Sequence, residues 1–99
     1  MCGISGLHQK VKQPGVIAQA ILANMNEKLA HRGPDGSGLK WFEDQHFGIA
    51  HRRLSIIDLS AAAAQPMQIE DRYWLTFNGE IYNYLELKIR LEQCGAQFK

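Results

Sequence analysis

The chain has 99 residues, of which 45% are hydrophobic and 21% charged, and its formal net charge is +1 at pH 7. This near-neutral balance argues against a nucleic-acid-binding surface, which usually shows as a strongly basic face. No apolar run approaches the length that crosses a bilayer, and no signal-peptide core follows the first residues. We therefore predict a cytoplasmic chain with neither a membrane nor a nucleic acid as partner.

The first half of the chain predicts a strand, a helix and a loop. Residues 2–7 are glycine-rich and indicate a short strand. Its glycines leave room for another group to approach the backbone closely. A helix is predicted over residues 16–30, and Gly33-Pro34-Asp35-Gly36 then ends it in a loop. The apolar positions of this helix recur every four residues: Ile17, Ile21, Met25 and Leu29, widened by Ala20 and Leu22.

The second half predicts several strands and a last helix. A hairpin turn around Gln45 joins the first two strands, and an irregular segment over residues 60–65 precedes the fourth. A helix over residues 84–94 begins at Asn83 with a capping box to Glu86 and ends before Gly95. The four strands span residues 39–43, 47–51, 54–59 and 72–77. This order of elements predicts an α+β fold in which helices cover sheet faces.

Cys2 is the residue that points most directly to chemistry. Removal of Met1 gives one residue both a thiol and a free α-amino group, whose ordinary pKa values lie near about 8.5 and about 7.7–8.0. The amine is then able to act as the base for its own thiol. The alternative is a small buried cysteine in a strand, which is the more common situation for an isolated cysteine.

Two further features supply what an acyl-transfer nucleophile needs. Asn78-Gly79 offers a side-chain amide and a backbone N–H as oxyanion donors, although such a pair also marks hairpin turns. Arg53 offers a planar fork for an α-carboxylate, although a solvated surface arginine is the alternative.

Cys2 and Cys94 are predicted to be free thiols, Cys94 as part of the core. Together with four scattered histidines they show no metal-site spacing, so no metal is expected.

Five motifs in order resemble the N-terminal glutaminase domain of glutamine-hydrolysing asparagine synthetases, and the resemblance covers essentially the whole chain. Any one motif is weak, whereas the ordered series is specific. The motifs are Met1-Cys2-Gly3-Ile4-Ser5-Gly6, His31-Arg32-Gly33-Pro34-Asp35, the run from His51 to Leu59, Gln65-Pro66-Met67, and Phe77-Asn78-Gly79-Glu80-Ile81-Tyr82-Asn83-Tyr84.

The resemblance implies an N-terminal-nucleophile hydrolase fold, a four-layer αββα sandwich, of which residues 1–99 form the N-terminal part. It implies that Cys2 attacks the glutamine side-chain amide, forms a γ-glutamyl thioester and releases ammonia. Asn78 and Gly79 fall on the oxyanion-hole positions, and Arg53 falls on the α-carboxylate clamp. The other glutamine-contacting positions of the family fall on Ile56, Ile57 and Glu80.

The resemblance also implies a partner domain. A C-terminal synthetase domain would use the ammonia to make asparagine from aspartate. ATP and magnesium belong to that domain, and no cofactor is expected in residues 1–99. A homodimer is left open.

Two departures and two alternatives accompany these expectations. Ala61 to Ala64 replace a stretch that usually contains glycine. The chain also ends before a family aspartate that would follow a strand beginning near Phe98, which predicts an incomplete pocket. One alternative is a glutaminase domain that feeds a different acceptor. The other is an inactive fragment that acts only as a binding or structural module.

Overall fold

The computed structural model describes residues 2–10, 14–54 and 64–98. These residues form a mixed α and β structure, which confirms the α+β class predicted from the sequence. The helices and strands in chain order are β1 (Gly3–His8), α1 (Gly15–Lys28), β2 (Gly36–Phe42), β3 (Phe47–Arg53), β4 (Met67–Ile69), β5 (Tyr73–Leu75) and α2 (Tyr84–Gln93).

A three-stranded antiparallel sheet in the order β1-β3-β2 forms the centre of the described structure. The register places His51 of β3 opposite Ile4 of β1 and Gly38 of β2, so these three residues lie on one face. The predicted hairpin turn is confirmed: a short 3-10 turn spans Glu43–Gln45, and His46 closes it with φ 49°. The two predicted strands it joins extend beyond the predicted ranges, to residues 36 and 53.

Helix α1 lies where the sequence predicts it, but of the predicted apolar stripe only Leu22 is fully buried. Ile17 and Ile21 are each 49% exposed. The residues buried against the sheet are Gly15, Ala18, Leu22 and Asn26. The helix backbone can approach the sheet closely at these positions, because the sheet face that packs against them carries small residues. At one of these, Gly48, an added Cβ would lie only 2.7 Å from Leu22 Cδ2. The helix therefore packs on the sheet with the face of Ala18 and Leu22, and Ile17 and Ile21 stay partly exposed.

A two-stranded antiparallel sheet, β4–β5, lies beside the opposite face of the central sheet. Phe42 and Trp74 make the contact, edge to face with ring centroids 5.8 Å apart. The predicted strand over residues 72–77 is shorter, because only Tyr73–Leu75 pair with β4, and β4 itself is not predicted. Leu54 follows β3 without belonging to a strand, and the rest of the strand predicted over residues 54–59 lies outside the described residues.

Helix α2 has the predicted position but not the predicted start or packing. Asn83 is the N-cap, yet its side chain makes no capping hydrogen bond, so the predicted capping box is wrong. Gly95 follows the helix with φ 96°, as expected of a C′ glycine. None of the residues of α2 is buried, and Cys94 is exposed, which corrects its predicted place in the core. No helix in the described ranges is long and apolar enough to cross a membrane.

Candidate active site

Cys2 lies at the start of β1, beside the end of β3. Its Sγ accepts a hydrogen bond from the backbone N–H of Leu54 at 3.3 Å and lies 3.7 Å from the carbonyl oxygen of the same residue. The thiol can therefore donate to the carbonyl, and the amide can stabilise a thiolate once the proton has left. The residue is half-buried. A nucleophile needs this combination of partial access and a fixed hydrogen-bond donor.

The alternation of side chains along β3 separates its two arginines. His51 and Arg53 are two residues apart and share one face, which is also the face of Ile4 in β1. Cys2 immediately precedes β1, two residues before Ile4. The positive charge of Arg53 is close enough to help lower the pKa of His51. His51 and Arg53 thus share the face that does not carry α1.

Arg52 points to the other face and holds the loop that carries the second motif. Its Nε donates to the carbonyl oxygen of Gly33 at 3.0 Å, and its Nη1 pairs with Glu27 at 3.5 Å. The backbone N–H of Asp35 donates to the carbonyl oxygen of Arg53 at 2.9 Å. A Cβ on Gly33 would overlap the backbone of Arg52. The His31-to-Asp35 motif is therefore a loop locked against the end of β3.

The segment that carries Asn78 and Gly79 follows β5 and is not a hairpin turn. The chain continues from Leu75 to helix α2 without a strand after Gly79. Asn78 is half-buried, whereas Gly79 and Glu80 are exposed. This segment is joined to β3 just before Asn78, where Nε2 of His51 lies 3.2 Å from the carbonyl oxygen of Phe77.

His51 is 1% exposed and is one of the largest fully buried side chains. Burial lowers its pKa below the ordinary value, because a charged imidazole loses its hydration there. The hydrogen bond with the Phe77 carbonyl opposes this effect on the pKa, and the nearby Arg53 charge reinforces it. A carbonyl oxygen accepts but does not donate, so Nε2 carries a proton in this contact. The buried ring is therefore a neutral imidazole with its proton on Nε2.

The structure brings some of the predicted site residues together and leaves others apart. Cys2 contacts Leu54, the residue that follows Arg53 at the end of β3. The segment of Asn78, Gly79 and Glu80 is tied to β3 by the contact of Phe77 with His51. Among the described residues, the hydrogen bonds of Cys2 run to Leu54 and not to the Asn78-Gly79 pair. Ile56 and Ile57, predicted to contact glutamine, lie outside the described residues.

Three features of the site were missed by reasoning from the sequence. One is His51, whose two-residue spacing from Arg53 in a strand signals a shared face. Gln65 was read only as part of a motif, yet its Oε1 accepts a hydrogen bond from the N–H of Phe77 at 2.6 Å. The backbone of Leu54 carries no side-chain signal at all. Within the described part of the chain, no cluster of His, Cys, Asp and Glu is suited to hold a metal ion.

All 99 residues match the glutamine amidotransferase domain family. Asparagine synthetase (glutamine-hydrolyzing) 1 from Bacillus subtilis (strain 168) is 45% identical over 100 residues, which cover 99% of this chain and 15% of that protein. The asparagine synthetase (glutamine-hydrolyzing) from Zea mays is 41% identical over 93 residues, covering 93% of this chain and 15% of that protein.

Not every curated relative is named as a synthetase. The protein named amidase chry2, from Gibberella zeae, is 39% identical over 101 residues, which cover 92% of this chain and 15% of that protein. No solved structure matches the chain significantly. The chain thus spans only about 15% of the length of these three relatives.

Proposed function

Because this chain belongs to the glutamine amidotransferase domain family, we propose that it hydrolyses glutamine to glutamate and ammonia with Cys2 as the nucleophile. The observation that carries the proposal is the position of the Cys2 thiol. It is half-buried at the end of the central strand, with the Leu54 N–H donating to its sulfur at 3.3 Å. A backbone donor at this distance holds the sulfur in place at the end of the central strand. The thiolate, which the α-amine is proposed to generate, is the reactive form of cysteine.

The proposed reaction proceeds through a γ-glutamyl thioester. Once Met1 is removed, the α-amino group of Cys2 takes the thiol proton, directly or through one water. The sulfur then forms a bond to the side-chain carbonyl carbon of glutamine, and the C–N bond breaks. The proton held by the amine passes to the leaving nitrogen, which departs as ammonia. Water adds to the thioester in the second half-reaction, which releases glutamate and returns the thiol.

The remaining site residues have roles that follow from their chemistry. The side-chain amide of Asn78 and the backbone N–H of Gly79 donate to the oxyanion that develops on the glutamine carbonyl. One such donor is worth about 10²–10³ in rate. Arg53 binds the α-carboxylate, for which its planar guanidinium has the matching geometry. Ile56, Ile57 and Glu80 complete the contacts with glutamine.

We also propose that residues 1–99 form the beginning of a four-layer αββα sandwich of the N-terminal-nucleophile hydrolase type. Two observations support this arrangement. Helix α1 covers one face of the antiparallel sheet, as an outer helical layer would. The β4–β5 strands approach the opposite face through the contact of Phe42 with Trp74, as a second sheet would.

The ammonia is proposed to serve asparagine synthesis from aspartate. The relatives from Bacillus subtilis and Zea mays are named for this activity, and both are much longer than this chain. ATP and magnesium would act in a synthetase domain outside residues 1–99. A second candidate is the same glutaminase chemistry with a different acceptor. The relative named as an amidase favours this alternative, because it matches 92% of the chain at 39% identity.

Ammonia release from glutamine tests the nucleophile, and the chain offers a matched control. Cys2→Ala removes the proposed nucleophile, whereas Cys94→Ala removes an exposed thiol outside the site. We expect turnover to fall to background in Cys2→Ala and to stay within about twofold of wild type in Cys94→Ala. Equal turnover in Cys2→Ala and wild type would exclude the mechanism. Product analysis with aspartate and ATP, in the longest natural form of the protein, separates the two acceptors.

A further inference from the structure

Both backbone groups of Phe77 are held by side chains from other parts of the chain. Its carbonyl oxygen lies 3.2 Å from Nε2 of His51, in the central strand. Its N–H donates to Oε1 of Gln65 at 2.6 Å. These partners are 26 and 12 residues away in sequence. The residue immediately before Asn78 is therefore fixed from two directions.

Both partners are themselves firmly placed. His51 is 1% exposed and belongs to β3, which pairs with strands on both sides. The backbone of Gln65 passes so close to Gly38 of β2 that a Cβ at this glycine would overlap the Gln65 carbonyl. Phe77 itself is 41% exposed.

The planarity of the peptide bond links these contacts to Asn78. The carbonyl of Phe77 and the N–H of Asn78 belong to one rigid peptide unit. A fixed direction for this carbonyl therefore also fixes the direction of the Asn78 N–H. The bond to Gln65 fixes the preceding peptide unit in the same way. With both units fixed, φ and ψ of Phe77 are fixed as well, and so is the path of the chain as it enters Asn78.

We propose that His51 and Gln65 are positioning residues that clamp the backbone of Phe77 and thereby aim the Asn78 and Gly79 donors at the reacting carbonyl. The inference rests on the proposed glutaminase function and adds two residues to it. Neither His51 nor Gln65 touches the substrate in this account. Their contribution is to remove freedom from a segment whose displacement by about 1 Å can cost about 10²-fold in rate.

A pair of substitutions at His51 isolates the hydrogen bond from the volume of the ring. His51→Gln keeps an N–H donor near the position of Nε2, whereas His51→Leu keeps comparable apolar bulk without a donor. The corresponding variant on the other side is Gln65→Leu, which removes the acceptor for the Phe77 N–H. His8→Leu is the matched control, because His8 is exposed at the far end of β1.

Steady-state kinetics with glutamine distinguish positioning from a general loss of structure. We expect His51→Leu and Gln65→Leu to lower kcat by about 10- to 100-fold, with a smaller change in KM, because oxyanion donors act mainly in the transition state. His51→Gln should recover most of kcat, and His8→Leu should match wild type. Folded His51→Leu and Gln65→Leu proteins with wild-type kcat would overturn the proposal, as would an effect confined to KM.

Amide hydrogen exchange tests the clamp without turnover. Phe77 and Asn78 amides should exchange faster in Gln65→Leu, which replaces a side chain at an exposed contact, while amides of β3 keep their wild-type rates. Unchanged exchange at both positions would overturn the clamp even if activity falls. A folded wild-type protein that does not turn over glutamine would overturn the proposed function instead. Exchange would still show whether the clamp exists.

Discussion

Nε2 of His51 and the carbonyl oxygen of Phe77 lie 3.2 Å apart, although 26 residues separate them in the chain. This contact joins the central strand to the segment that precedes Asn78 and Gly79. It is made by a buried imidazole whose pKa is lowered, mainly by burial. The same buried residue thus holds the segment before the proposed oxyanion donors and has a shifted pKa.

The first prediction concerns stability against pH. His51 is neutral in the folded and the unfolded chain above its ordinary pKa, about 6.5. As the pH falls below this value, the unfolded chain binds a proton that the folded chain, with its lowered pKa, does not. The free energy of unfolding should therefore fall until the pH passes the folded pKa, and this contribution should then level off. Urea unfolding between pH 8 and pH 5 measures this fall in the free energy of unfolding. The fall should be smaller in His51→Gln than in wild type.

Among the described residues, Arg53 is the charged group that acts on the pKa of His51. The residues opposite His51 in the neighbouring strands, Ile4 and Gly38, do not titrate. Parallel pH profiles for wild type and His51→Gln would show that His51 does not carry the dependence.

The second prediction concerns Gly33. A Cβ at this position would overlap the backbone of Arg52. Because backbone atoms cannot move aside as a flexible side chain can, we expect Gly33→Ala to lower the free energy of unfolding by about 1–3 kcal/mol. Gly6→Ala is the control, since its Cβ would meet its nearest neighbour, the Gly48 carbonyl oxygen, at an ordinary 3.5 Å. Equal urea midpoints for the two variants would contradict the prediction.

The third prediction concerns the α-amino group of Cys2. A leucine inserted between Met1 and Cys2 converts this amine to an amide, which cannot act as a base. Turnover of glutamine should fall by about 10²–10⁴-fold, the usual contribution of general base catalysis. An extension that a protease removes to leave Cys2 first should restore the rate. Full turnover with the amine blocked, verified by mass spectrometry, would assign the base to another group.

The fourth prediction concerns the turn between β4 and β5. Glu70 and Asp71 have φ values of 57° and 51°, in the left-handed region that costs most residues about 1–2 kcal/mol. Glu70→Gly removes this cost. The greater conformational freedom of glycine also stabilises the unfolded state, by about 0.4–1 kcal/mol, and so offsets part of the gain. The free energy of unfolding, measured by thermal or urea unfolding, should therefore rise by about 0.5–1 kcal/mol. Asp44→Gly, at an exposed turn position without positive φ, should give no gain. A gain of similar size in both variants would contradict this explanation.

The sequence predicted the elements where a local pattern is sufficient. The start and end of α1 follow from a four-residue period and a Gly-Pro corner, and Gly95 ends α2 because only the residues around it determine that turn. The hairpin between β2 and β3 has the same local origin. The ordered motifs also identified the family correctly over all 99 residues.

Non-local contacts determined what the sequence left open. Ala18 rather than Ile17 faces the sheet because Gly48 and Ala50 lie opposite, and no local pattern contains that information. β4 pairs only because β5 is available to it. The capping box at Asn83 failed because a matching pair of residues does not ensure the hydrogen-bond geometry.

For the candidate site, the sequence determined the chemistry that is available: a thiol beside an α-amine, an amide next to a glycine, and an arginine. The tertiary structure determined which groups meet. It placed the Leu54 amide against the Cys2 sulfur and the imidazole of His51 against the Phe77 carbonyl. Both contacts involve backbone atoms, which every residue carries and which therefore leave no mark in the sequence. Only the register of β1 on β3, and the path of the chain after β5, bring these backbone atoms to their partners.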